Sequence, residues 1–211
     1  MDHFTLRDGV LHAEDVPLPA IAEAVGTPVY VYSRATIERH AAVFREALAP
    51  LDNPHIAFAV KANPNLAVLR VLARQGYGAD VVSGGELIRA LAAGMKPEDI
   101  VFSGVGKTHG ELEQGLRENI GQFNVESEEE GYELAAIARR AGKVARCALR
   151  VNPDVDARTH EKISTGKSEN KFGVPLDRAA EIYTALAGED GLDIDLRHDG
   201  LSSLSCLAPD M

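Results

Sequence analysis

The chain has 211 residues, 45% of them hydrophobic, which suffices for a sizeable core and excludes a disordered tail. A formal net charge of -10 argues against a nucleic-acid backbone or an anionic membrane as partner, since both need dense Lys and Arg. Met1 to Val10 carries Asp2, Arg7 and Asp8 instead of the apolar centre of a signal peptide, and no later run approaches the length of a membrane span, so a cytoplasmic protein is expected.

Residues 1–32, including Thr27-Pro28-Val29-Tyr30-Val31-Tyr32, precede a repeating pattern of short apolar runs and helical periods. Ser33 to Leu48 reads as a helix capped by Ser33. Ile56 to Val60 reads as a strand buried on both faces, after which Asn63 can cap and Pro64 can open a helix carrying Leu66, Val68, Leu69 and Leu72. Ala79 to Ser83 is the next strand, with a helix from Gly84 or Gly85 that buries Leu87, Ile88, Leu91 and Ala92. Asp99 to Gly104 and a helix from Thr108 follow, then Gln122 to Ser127 and a helix capped by Ser127 with Leu134, Ile137 and Ala138 inward. Val144 to Asn152 is the longest strand, and Cys147 within it reads as a buried, inert thiol. The second cysteine, Cys206, makes no disulfide framework with it, and the seven histidines do not cluster at ligand spacings, so no metal is expected.

Strands separated by single helices imply parallel pairing with right-handed crossovers, in either a closed barrel or an open doubly wound sheet. A nucleotide-binding doubly wound sheet would place a Gly-x-Gly-x-x-Gly turn after its first strand, where this chain has Lys61-Ala62-Asn63-Pro64. The barrel is favoured.

Lys61 ends the apolar run just where helix-start signals begin, at the strand edge on which such folds build their sites. Partial desolvation there would free the amine to attack an aldehyde, so Lys61 is a candidate Schiff-base lysine; a lysine that merely ends a strand is the alternative. Asp80, at the end of the second strand, either faces Lys61 or caps the turn at Gly84. Arg150 interrupts an apolar strand and would be costly to bury without an anionic partner, such as a structural ion pair. Ser83 reads as a cap, Glu86 as a first-turn acid, and Glu126 to Glu130 as a solvated helix start.

Six blocks then carry a resemblance: Ala59-Val60-Lys61-Ala62-Asn63, Ala79 to Glu86, Phe102-Ser103-Gly104-Val105-Gly106-Lys107, Asn124-Val125-Glu126-Ser127, Leu149 to Val155, and Lys162-Ile163-Ser164-Thr165-Gly166 ending in Asn170-Lys171-Phe172-Gly173. In this order and spacing, to about residue 190, they resemble the diaminopimelate decarboxylases. These are pyridoxal-phosphate enzymes of lysine biosynthesis, grouped with the ornithine and arginine decarboxylases in the alanine racemase fold. The resemblance implies a (β/α)8 barrel that binds pyridoxal 5'-phosphate, followed by a β domain that also receives the N-terminal segment. It implies division into residues 1–32, a barrel portion 33–196 and a tail 197–211. It further implies Lys61 as the Schiff-base lysine, Asp80 and Arg150 near the cofactor, and a homodimer with shared active sites. Lys171 would lie at the substrate and dimer interface; on composition a solvated lysine before a turn glycine is the alternative.

After Gly191 the family's His-Ile-Gly-Ser motif is not matched: the chain reads Leu192 to Gly200, with His198 near the expected place, then Leu201 to Met211. The expectation is an α/β barrel truncated after about five to six βα units, with unpaired strand edges and no activity by itself. Two alternatives stay open, a non-catalytic fragment and a sister decarboxylase of another basic amino acid.

Overall fold

The computed structural model describes residues 2–152 and 172–194. The N-terminal part forms an antiparallel three-stranded meander, β1 (Phe4–Arg7), β2 (Val10–Ala13) and β3 (Val16–Pro17), followed by α1 (Leu18–Val25). The sequence reading had given this segment no elements. It docks through Glu14, whose carboxylate accepts from the Ser33 hydroxyl at 2.8 Å and the Ala35 N–H at 2.9 Å. Ser33 in turn accepts from Thr36 N, so it caps α2 (Arg34–Leu48) as expected.

The second part alternates strand and helix: β4 (Ala57–Ala59), α3 (Leu66–Arg74), β5 (Gly78–Val81), α4 (Gly84–Ala92), β6 (Ile100–Phe102), α5 (His109–Glu118), β7 (Gln122–Val125), α6 (Glu128–Ala141) and β8 (Ala145–Leu149). Then come β9 (Val151–Asn152), β10 (Val174–Pro175), α7 (Leu176–Ala187) and β11 (Leu192–Ile194). Six strands form one parallel sheet in the order β11-β8-β7-β6-β5-β4. That order never reverses. A doubly wound sheet has a switch point where strand order turns back, so this is the winding of a barrel, open between β4 and β11.

Ser83, Thr108 and Ser127 cap α4, α5 and α6, and Thr108 closes a full capping box with Glu111. One cap differs: Asn65, not Asn63, accepts from Ala67 N at the start of α3, while Asn63 accepts from Asn65 N. The short helical turn Val60–Ala62 moves the true helix start two residues on. The strand read as Val144 to Asn152 breaks at Arg150, with β8 in the main sheet and β9 paired to β10. A helix at Leu176–Ala187 and a sixth strand at β11 complete the described part.

The two faces of the sheet differ. Ala79, Val81, Ile100, Phe102, Phe123, Val125, Ala145 and Cys147 are buried, and they pack with Leu69, Leu87, Leu112, Leu134 and Leu186 from the helices. The register aligns Ala59 with Asp80, Asp80 with Val101, Val101 with Gln122, and Asn124 with Ala148 on the opposite, polar face. Ile56 to Ala59 are only half-buried, which corrects the expectation of a strand covered on both sides.

Candidate active site

Parallel strands wound in one direction bring all their C-terminal ends to one rim, and each βα loop starts there. Lys61 follows β4, Asp80 lies near the end of β5, Ser103 follows β6, Asn124 and Glu126 mark the end of β7, and Arg150 follows β8. Asp80 and Asn124 lie on the polar face of their strands, and the other residues stand in the loops at the strand ends. The rim thus collects an amine, two carboxylates, a hydroxyl, an amide and a guanidinium.

Lys61 is exposed, in the turn directly after edge strand β4, and this corrects the expected desolvation: with β4 at the sheet boundary, nothing in the described residues covers the lysine. Asp80 faces it from the neighbouring strand. Burial pushes the Asp80 carboxyl above its ordinary range, while the Ser103 hydroxyl and the charges of Lys61 and Arg150 pull it down and Glu126 pushes it up. The Ser103 hydroxyl donates to Asp80 Oδ1 at 2.6 Å, so Asp80 is not the cap of the Gly84 turn; Ser83 holds that place.

Arg150 has a structural partner. Its Nη1 donates to Glu126 Oε1 at 2.7 Å, and its guanidinium lies 4.9 Å from the centre of the Phe172 ring. Glu126, with 2% side-chain exposure, also accepts from Gly104 N at 3.1 Å and Gly173 N at 2.9 Å. A buried carboxylate with three donors ties three loops of the rim together. Glu126 is therefore no part of a solvated helix start, and Glu130 departs from that reading as well. Lys107 Nζ donates to Glu130 Oε1 at 2.6 Å, Asn124 O at 2.7 Å and Gly104 O at 2.8 Å, with the lysine side chain 1% exposed. Burial raises the Glu130 pKa, and Lys107 opposes that rise.

Ser103, Lys107 and Asn124 have no role in the sequence reading, and Glu126 has only that of a solvated helix start. The available signal was parity: Val101 and Ser103, and Gln122, Asn124 and Glu126, alternate with the apolar Phe102, Phe123 and Val125. Glu86 serves as expected in the first turn of α4, accepting from Val82 N at 2.8 Å. Lys171 and His198 lie outside the described residues, as does Cys206, whereas Cys147 is buried and its thiol is pushed up to about 12 by burial. Among the described residues no group of three or more His, Cys, Asp or Glu could hold a metal ion.

A match to the family "Pyridoxal-dependent decarboxylase, pyridoxal binding domain" spans residues 34–196. The chain belongs to the pyridoxal-dependent decarboxylases. It is 52% identical over 214 aligned residues to the diaminopimelate decarboxylase of Vibrio cholerae, covering 99% of this chain and 50% of that protein. It is 53% identical to the Pseudomonas aeruginosa diaminopimelate decarboxylase, covering 92% of this chain and 46% of that one. Among solved structures, the diaminopimelate decarboxylase from M. jannaschii superposes with a TM-score of 0.84 at 35% identity, over 91% of this chain and 46% of that chain. The Helicobacter pylori enzyme complexed with L-lysine gives 0.79 at 42% identity, over 84% of this chain and 45% of that chain. The chain spans about half the length of the curated relatives it matches. The six-stranded parallel sheet with its helices is accordingly a partial (β/α) barrel of this family.

The rim fits the aldehyde end of pyridoxal phosphate. A carbonyl needs a primary amine within reach of solvent, and Lys61 supplies one at a strand end. A cationic site needs a carboxylate beside it, and Asp80 stands there in hydrogen-bonded form.

Proposed function

We propose that the protein decarboxylates meso-diaminopimelate to L-lysine with pyridoxal 5'-phosphate held through Lys61. The observation that carries this is the exposed amine of Lys61 on the rim, with Asp80 in register on the next strand. The family's diaminopimelate decarboxylases, two of them complexed with L-lysine, support the choice of amino acid. Pyridoxal phosphate, when bound, supplies an aldehyde for amines and a conjugated ring that accepts the electron pair left by a departing carboxylate.

This chain's own residues have three tasks. Lys61 Nζ would hold the aldehyde end of pyridoxal phosphate and, when not so engaged, would stand as an ammonium group able to give a proton to carbon. Asp80 favours that charged form and keeps the amine oriented. Arg150 and Glu126 fix the rim loops from below, with Arg150 available to an anionic group from its partly exposed side, 32% of the side chain. Lys171 is assigned to the interface of a homodimer, and the protein to the cytoplasm. A division at residues 32 and 196 belongs to the same proposal.

Equilibrium dialysis tests the cofactor assignment. The chain should retain pyridoxal phosphate, and Lys61→Ala should lose it; equal retention by both proteins would refute the role of Lys61.

A further inference from the structure

The carboxylate beside Lys61 ends a chain of hydrogen bonds that crosses three strands. Gln122 Nε2 donates to Asn124 Oδ1 at 2.7 Å, Asn124 Nδ2 donates to Ser103 Oγ at 3.0 Å, and the Ser103 hydroxyl donates to Asp80 Oδ1 at 2.6 Å. The direction of each link follows from the one before. An ionised carboxylate can only accept, so Ser103 must donate to it. The serine oxygen then has lone pairs left and must receive from Asn124, which turns the amide nitrogen toward Ser103 and the amide oxygen toward Gln122.

Asn124 cannot easily turn the other way. Its residue is buried, and its main-chain carbonyl is held by Lys107 Nζ, which also binds Gly104 O in the loop that follows Ser103. Gly104 N is fixed in turn by Glu126. Gly104, the residue after Ser103, is therefore clamped at both its carbonyl and its N–H, and the hydroxyl is presented to Asp80 by a rigid support. Bonds linked head to tail polarise one another, which strengthens the last donor.

We propose that Ser103 is a positioning residue that keeps Asp80 ionised against its burial, with Asn124 and Gln122 setting the direction of the serine's proton. The purpose rests on the role of Lys61 given above: an ionised Asp80 is what favours the charged amine after Lys61 has released its covalent partner. The other charged groups acting on Asp80 are Lys61 beyond β4, Arg150 beyond β8 and Glu126 beyond β7. None of them replaces a hydroxyl donor in contact with the carboxylate.

Carboxyl carbon NMR on the 211-residue chain reads the titration of Asp80 directly, with Asp80→Asn to assign the resonance. Ser103→Ala should move the Asp80 midpoint upward, and Ser103→Thr, which restores the hydroxyl, should bring it back. An unchanged midpoint in Ser103→Ala overturns the proposal. So does an upward shift that Ser103→Thr fails to reverse, since that would trace the effect to repacking and not to the hydrogen bond. Trapping of pyridoxal phosphate on Lys61, measured in the same samples, separates this from the assignment of Lys61: loss of trapping with the Asp80 shift intact would refute the cofactor role and leave the relay standing.

Discussion

Lys107 shows how much one buried charge costs to leave alone. Its ammonium group has three oxygen partners, one of them the largely buried carboxylate of Glu130. Lys107→Met should destabilise the fold by about 3–5 kcal/mol because Glu130 is left without a counter-ion, whereas Lys107→Met with Glu130→Leu should cost distinctly less. Urea melts of the three proteins check this; equal losses would mean that the pair is not coupled. Asp80 behaves differently, since its folded pKa is raised above the ordinary 3.8, with burial as the largest cause. Between 3.8 and the raised value the unfolded chain gives up its proton first, so stability falls as pH rises through that window and stays lower above it. Asp80→Asn should therefore melt higher than the parent at neutral pH and show no advantage in acid below 3.8, a stability gain set against a loss at the site. The rim positions of Lys61, Asp80 and Arg150 were legible because a charge inside or at the end of an apolar run needs a reason. Glu126 and Glu130 were not, since an acidic run before a helix looks solvated until the loops that bury it are known.

Among the elements, the helix caps hold the rim loops in place. Glu111 accepts from Thr108 N at 2.9 Å within its own helix and from Gly84 N at 2.8 Å on the neighbouring one, so a single carboxylate serves the starts of α4 and α5. The two main-chain donors, Gly84 first, hold its pKa below the usual carboxylate range. Glu111→Gln should cost about 1–2 kcal/mol by the usual worth of a cap and of a charged hydrogen bond. The loss should be present above the ordinary carboxylate pKa and shrink as pH falls through the depressed folded one; a pH-independent loss in thermal melts would contradict it. Element order and most caps were readable from the sequence because Ser and Thr stand directly before apolar helical periods. The meander at β1–β3 was not, because its strands are short and carry exposed apolar residues such as Leu6, Val10 and Leu11. The break at Arg150 was hidden because pairing partners, not propensity, end β8 and begin β9.

For the whole molecule, the unbroken strand order sets where Lys61 stands. Lys61 directly follows boundary strand β4 and is exposed, with the outer edges of β4 and β11 unpaired among the described residues. The most direct measurement is borohydride reduction in the presence of pyridoxal phosphate, followed by peptide mapping. The label should concentrate on Lys61 and spare Lys107, which is enclosed by three acceptors. Label spread evenly over Lys61, Lys107, Lys162 and Lys171 would contradict the assignment of Lys61 as the cofactor lysine.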